Sequence, residues 1–483
     1  MYKKYLAGFK KQFGIAVIAG VLTIGMTACG AAGKGTDGGA AGTGTELNLK
    51  SEESVAGAGV EQNIQAGSEK KTGESSMKEN ETNETKETTE KQPEATATPM
   101  TTPSAEEIYS EMVELSLKYE GNNYRLKKVI EKLRGGEEVS LAILGGSVTE
   151  GAGAGSNDKG YAYQFADALA ETYAANGREQ IKYVNAGLSG TPSVLGWMRY
   201  QQDVVTPLGG TPDLLIIEFA VNDWQEPTGG RAFESMVYEA LSAREDAAVI
   251  CLCSVAKTGW NTQDVYLPIA RQYQIPVVSM RNAVFITDSK TRISAETYFM
   301  DDYHPLYYGH QLMKDSLMNL LAKADESEID EPAAVPTDAV KGLDFTGIIQ
   351  VDSKNPVKGM KTGSFGDTDE KIVGEYFTKS AAFPNNFYHV AGTKNDPLSM
   401  KVKCKKIIVN YKNATEDTFG KADFYIDGKL VATADGHSGG GWNNCCVLLI
   451  LDEEEAATHT LEVKMAEDNL DKAFTIFSIS YVQ

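Results

Sequence analysis

An α/β region built on a parallel sheet, followed by an all-β sandwich, is the fold class that this 483-residue sequence predicts. Three observations predict it. Residues 105–325 alternate near-continuous Val/Ile/Leu runs with amphipathic helical patterns, as a parallel sheet covered on both faces requires. Residues 341–483 change to short runs of alternating polarity broken by turn residues, which suits antiparallel strands. Between them, residues 326–340 ("ESEIDEPAAVPTDAV") form a polar, proline-containing connector.

In the first region the strands are "EVSLAILGG", "IKYVNAGL", "PDLLIIEFAVND", "AAVICLCSV" and "IPVVSM". Helical patterns separate them: "YAYQFADALAETYAANG", "SVLGWMRYQQDVV", "FESMVYEALSARE" and "VYLPIARQYQ". In such folds ligands bind at the carboxyl ends of the strands. The second region offers "MKVKCKKIIVNYKN", "KADFYIDGKLVATAD", "NNCCVLLILDEE", "HTLEVKMAED" and "AFTIFSISYV" as strands, with "IDGKLV" a hairpin. The expected arrangement is a jelly-roll-like sandwich.

Ahead of both lies a different kind of chain. Residues 1–29 combine a basic front, an apolar stretch too short and glycine-rich for a membrane span, and small residues before Cys29, which reads as a secretory signal. The end, Met26-Thr27-Ala28-Cys29, resembles the lipobox of bacterial lipoproteins. That resemblance implies a lipid on Cys29 and a protein secreted and anchored to the outer face of the cell membrane. Residues 30–104 are Gly, Ala, Thr, Ser, Glu and Lys with hardly an aromatic residue, so they cannot bury enough apolar surface to offset their ordering entropy. Such a disordered tether of about 75 residues has an r.m.s. reach on the order of 50 Å.

The net charge of −21 argues against nucleic acid as a partner. Six cysteines in so long a chain make no disulfide scaffold. Cys251 and Cys253 alternate on a buried strand as small hydrophobes, and a bridge from Cys404 to Cys445 or Cys446 stays open. No spacing suggests zinc or another metal, and no glycine-rich phosphate loop occurs, so no cofactor is expected.

The chemistry centres on Ser147, which follows a greasy strand in "LAILGGSVTEGAGAG". A serine hydroxyl reacts only when a base takes its proton and donors hold the resulting oxyanion. His304 and His310 are the two histidines of this region, and Asp301 precedes His304 by three residues in "MDDYHP". A turn of that length brings the carboxylate onto the imidazole. Asp302 is the neighbouring alternative, and His310, deeper in a helical pattern, reads as structural. Asn222, at the end of its strand, offers a side-chain amide, and Gly190 or Gly187 in "NAGLSG" offers a backbone N–H.

Together "GGSVTEG", "NAGLSG", "AVND" and "DDYHP" resemble the four blocks of the SGNH (GDSL-type) hydrolases over about residues 139–320. The resemblance implies a flavodoxin-like three-layer fold, Ser147 as nucleophile and first oxyanion donor, Gly190 (rival Gly187) and Asn222 as further donors, His304 as base and Asp301 as its orienting acid. Two departures stand out: Gly146 where many members carry Asp, and Ala220 where the third block usually has glycine. The variant blocks look more like secreted carbohydrate acetylesterases with a carbohydrate-binding-like sandwich than like lipases. The expected activity is thus removal of O-acetyl groups from a polysaccharide; a lipid esterase, an acyl-transferring enzyme and a glycan-binding protein with a spent hydrolase fold are the alternatives. Trp224 and Trp260, after strand ends, should rim the cleft, and Trp442 could be a sugar platform on the sandwich. Trp197 divides evenly between cleft and core, and Arg199 reads as a helix-surface ion pair rather than a substrate clamp. Oligomeric state is not legible.

Overall fold

A computed structural model describes residues 103–370, 382–437 and 443–483. The signal segment with Cys29, nearly all of the tether, and Trp442 lie outside the described residues. The first element described is the helix Ala105–Leu115. Ser104 and Glu107 close a capping box on the helix Ala105–Leu115, each accepting the other's backbone N–H, and this motif was readable in "SAEE".

Six strands build the first sheet: β1 (Leu117–Tyr119), β2 (Val139–Gly145), β3 (Ile181–Gly187), β4 (Leu214–Glu218), β5 (Ala248–Cys253) and β6 (Val277–Ser279). Their order is β1-β6-β5-β4-β2-β3. Strands β2 to β6 are parallel, and β1 joins antiparallel at the edge beside β6. The sequence reading had no place for β1, because three residues carry too little periodicity to register. Alternation along the strands divides the core. Leu141, Ile143, Leu214 and Ile216 face the helices Tyr124–Gly135, Tyr161–Tyr173 and Tyr307–Glu326. Ala142, Leu144, Leu215 and Ile217 face Ser193–Tyr200, Arg231–Ala243 and Gln263–Gln272. The result is the three-layer fold expected. From β2 the chain runs to β3 on one side, and from β3 it crosses to β4 on the other side of β2, so the carboxyl end of β2 is the switch point where crevices open.

A two-strand ribbon, β7 (Phe285–Thr287) with β8 (Lys290–Thr291), follows, and then the antiparallel region. Its strands are β9 (Ile349–Val351), β10 (Phe387–His389), β11 (Leu398–Asn413), β12 (Lys421–Ile426), β13 (Lys429–Asp435), β14 (Asn444–Met465) and β15 (Phe474–Val482). The runs expected as two strands at 443–454 and 459–468 are one strand, β14. Opposite it, pairing with β11 jumps from Cys404–Ala457 to Lys406–Asp452. At that irregularity four residues of β14 stand against one of β11 and form a bulge, the device by which long strands bend. Asp427 and Gly428, both at positive φ, turn the β12–β13 hairpin as "DG" foretells. Cys251, Cys253, Cys404, Cys445 and Cys446 are all unbridged, so the open disulfide is answered in the negative for the described cysteines.

All nine residues of β15 are buried, although a sandwich strand ordinarily turns one face to water. Ile476 and Ile479 point into the sandwich core, whereas Phe477 and Val482, with Ile408 of β11 and Cys445 of β14, join the core beneath the helices 193–200 and 231–243. Phe345 sits in this shared core; its carbonyl accepts the Trp197 indole N–H at 2.8 Å, and the Arg231 guanidinium lies 5.0 Å from its ring. Trp197 is therefore core. Around the ring, Arg231 pairs with Asp344 and Asp452, and Lys406 pairs with the same two carboxylates. Buried Glu234 ties the connector down by accepting the N–H groups of Val340, Lys341 and Gly342 at 2.7, 2.5 and 2.9 Å. Phe345→Ala is expected to cost about 3–5 kcal/mol in a urea titration, with tertiary signals of both regions shifting together. Separate transitions in that titration would contradict a common core.

Candidate active site

Ser147 opens a one-turn helix, Ser147–Glu150, one residue past the end of β2. Gly146 between them is extended, and a Cβ on it would meet Asn222 Oδ1 at 2.4 Å. The bare backbone at Gly146 thus lets the Asn222 side chain lie directly against the Ser147 turn. Under the turn, Glu218 at the end of β4 is fully buried. Its carboxylate accepts the hydroxyls of Thr149 (2.9 Å) and Ser254, and its carbonyl accepts the Gly146 N–H at 3.2 Å. Burial raises the pKa of Glu218 despite these hydrogen bonds.

The remaining partners arrive on the turn at 300–304, which is closed by the Met300 N–H on the His304 carbonyl at 2.9 Å. His304 Nε2 lies 2.8 Å from Ser147 Oγ, and His304 Nδ1 lies 2.7 Å from Asp301 Oδ2. A carboxylate can only accept here, so Nδ1 carries the proton and Nε2 is left basic toward the serine hydroxyl. Asp301 Oδ1 accepts the N–H groups of Tyr303 and His304 at 2.8 and 2.9 Å. Partial burial pushes the Asp301 pKa up, but the imidazole and the two amides outweigh it and hold the carboxyl below its ordinary value. Asp302 enters this turn only through its carbonyl, which accepts the Lys257 N–H at 2.8 Å. The alternative acid is placed away from the imidazole's hydrogen bonds.

The candidate donors also separate. Gly187 donates its N–H to Asn185 Oδ1 at 2.9 Å, and Leu188 and Ser189 donate theirs to the Gly145 carbonyl and Glu150. Among the described residues, no protein acceptor takes the N–H of Ser147 or Gly190. The Asn222 carboxamide oxygen is buried without a partner. Next to it, Asp223 is half-buried and accepts the Ser193 N–H (2.7 Å), the Ser193 hydroxyl (2.5 Å) and the Tyr266 hydroxyl (2.5 Å). Burial, with the negative charge of Glu226, pushes its carboxyl up to about 7. Glu150, Asp223 and Glu218 escaped the sequence reading; only Glu218 left a signal, as an acid at the end of an otherwise apolar strand.

Trp224 is 66% exposed and Trp260 39%, and Tyr303, the residue before His304, is exposed as well. Arg199 corrects the expectation of a surface pair. It is 2% exposed and holds the Gly145 carbonyl (3.0 Å) and Asp203 (3.0 Å) from inside the core. His310 is structural as read: Nδ1 accepts the Tyr161 N–H at 3.2 Å and Nε2 donates to the Ala152 carbonyl at 2.9 Å.

Residues 143–312 match the model of the GDSL-like lipase/acylhydrolase family. Among solved structures, a two-domain esterase (CEX) active on acetylated mannans, co-crystallized with mannopentaose, shares 24% identity with the chain at a TM-score of 0.64, covering 77% of this chain and 98% of that one. A second crystal structure of a two-domain esterase (CEX) active on acetylated mannans gives 24% identity and a TM-score of 0.63, over 77% and 99%. Both likenesses show the fold, including its antiparallel region. No curated protein sequence matches the chain.

Burial lowers the His310 pKa from 6.5 to about 4. The unfolded chain therefore binds this proton first, and stability falls as pH drops from 6.5 through 4, by up to about 3 kcal/mol from this residue. His310→Gln should lose less stability than the parent between pH 7 and 4.5 in urea titrations; equal losses would contradict the buried neutral imidazole.

Proposed function

We propose that this chain, an ester hydrolase by its GDSL-like acylhydrolase domain at 143–312, removes acetyl and other short acyl groups from a polysaccharide through an acyl-enzyme on Ser147. The observation that carries the proposal is the unbroken relay from Asp301 through His304 to the Ser147 hydroxyl. His304 Nε2 takes the hydroxyl proton as Oγ attacks the ester carbonyl. The tetrahedral oxyanion is held by the N–H groups of Ser147 and Gly190 and the Asn222 amide, each such donor contributing a few kcal/mol to barrier lowering. Asp301 stabilises the imidazolium. Collapse breaks the bond to the sugar oxygen, which leaves with the proton from His304. Water, deprotonated by the same nitrogen, then attacks the acyl-enzyme, releasing the carboxylic acid and restoring Ser147.

The exposed rings of Trp224, Trp260 and Tyr303 support a sugar polymer, since flat rings offer stacking faces with a wet edge. The shared two-domain fold makes acetylated mannan the first substrate to test. Ser147→Ala should lower kcat on a small acetyl ester by more than about 10⁴-fold without lowering Tm. Acetate release should be found on acetylated mannan, xylan or peptidoglycan, and turnover should fall steeply from acetyl to octanoyl esters. An octanoyl preference would point to lipid substrates instead, and acetylated acceptor in place of acetate would indicate transfer.

The same proposal puts the enzyme outside the cell, held by lipid on Cys29 and extended by the tether. Cys29→Ser should shift the protein from the membrane fraction to the medium; an unchanged distribution removes the anchor from the proposal.

A further inference from the structure

Ser189 to Ser193 form the loop that carries the Gly190 amide, and two acids, buried Glu150 and half-buried Asp223, grip the loop at its ends. On one side Glu150 Oε2 accepts both the N–H and the hydroxyl of Ser189, at 3.0 and 2.5 Å. On the other side Asp223 accepts the N–H and the hydroxyl of Ser193, at 2.7 and 2.5 Å, and is itself fixed by the Tyr266 hydroxyl at 2.5 Å. Glu150 ends the turn that Ser147 begins, and Asp223 is the residue after Asn222. Each acid therefore belongs to one of the other two oxyanion-donor segments. Both carboxylates and both serines are largely withdrawn from water, where hydrogen bonds to charged groups are short and strong.

Between the two grips, Gly190 takes φ +70, a conformation that leaves its N–H with no protein acceptor among the described residues. The arrangement places two carboxylates and two serines on a five-residue loop in which Gly190 alone is exposed. Its evident effect is geometric: the amides of Ser147 and Gly190 and the carboxamide of Asn222 are referenced to one another through side-chain hydrogen bonds rather than through the sheet alone. Preorganised donors are useful only when held within about half an ångström of the developing charge.

We infer that Glu150 and Asp223 are positioning residues that clasp the Ser189–Ser193 loop between the nucleophile turn and the Asn222 turn, fixing the Gly190 N–H in the oxyanion hole. The inference rests on the Ser147 acyl-enzyme reading. Neither acid touches the substrate's reacting atoms; each acts through a serine.

The clasp is tested on the full chain with 4-nitrophenyl acetate. Glu150→Ala and the double variant Ser189→Ala/Ser193→Ala should each lower kcat by about 10²-fold, the loss typical of one oxyanion donor, with KM within about threefold of the parent. Glu150→Gln, which keeps an acceptor facing Ser189, should recover most of the rate. A purely structural role predicts the reverse pattern, a lower Tm with kcat per folded molecule unchanged. The double variant keeps both acids, so it decides the matter if Glu150→Ala does not fold. Folded Glu150→Ala or double variant with kcat within about threefold of the parent overturns the clasp. If Ser147→Ala is inert while those variants run at full rate, the clasp alone fails; if Ser147→Ala stays active, it is the nucleophile reading that fails.

Discussion

Everything at the carboxyl end of the sheet is arranged around a missing side chain at position 146. The Asn222 carboxamide fills the place a Cβ would need, 2.4 Å from its ideal position. A side chain there would have to displace the Asn222 carboxamide from this position. The same tolerance for close approach recurs at Gly153, at φ +86, where a Cβ would meet the Pro305 carbonyl oxygen at 2.1 Å. The glycine run after the serine is thus what allows the His304 turn to lie over the nucleophile. The constraint that brings the His304 imidazole onto the Ser147 hydroxyl is steric.

The three layers were legible because buried parallel strands leave near-continuous Val/Ile/Leu runs and their helices leave a 3.6-residue period. Ser147, His304 and Asp301 were legible because each reactive group sits beside a glycine, a proline or an acid that has no business in a plain loop. The choice between Gly187 and Gly190 was beyond the sequence. It depends on Asn185 reaching the amide of Gly187, and a side chain two residues away in a strand gives no pattern of its own. Glu150 was hidden for a similar reason. An acid in the first turn of a helix ordinarily faces water, and only the approach of Ser189 from a distant part of the chain turns it into a buried anchor.

Arg199 and β15 were misjudged through a shared assumption. Both were read within their own region, where a charged residue on a helix and alternate residues of a sandwich strand should be solvated. In the folded chain the helix 193–200 and β15 contribute to a common core, so Arg199 is enclosed near Cys445 and β15 has no wet face. Local periodicity reports which face of an element is apolar; it cannot report that a second region will cover the other face. The paired serines of β15, Ser478 and Ser480, disguised that burial further by imitating polar, outward-facing positions.

The double-sided burial of β15 ties the two regions into one interior. Phe477 and Val482 belong to the core under the helices 193–200 and 231–243, while Ile476 and Ile479 of the same strand fill the sandwich. One strand thus carries two half-cores, and a substitution on either of its faces is felt on both sides of the seam.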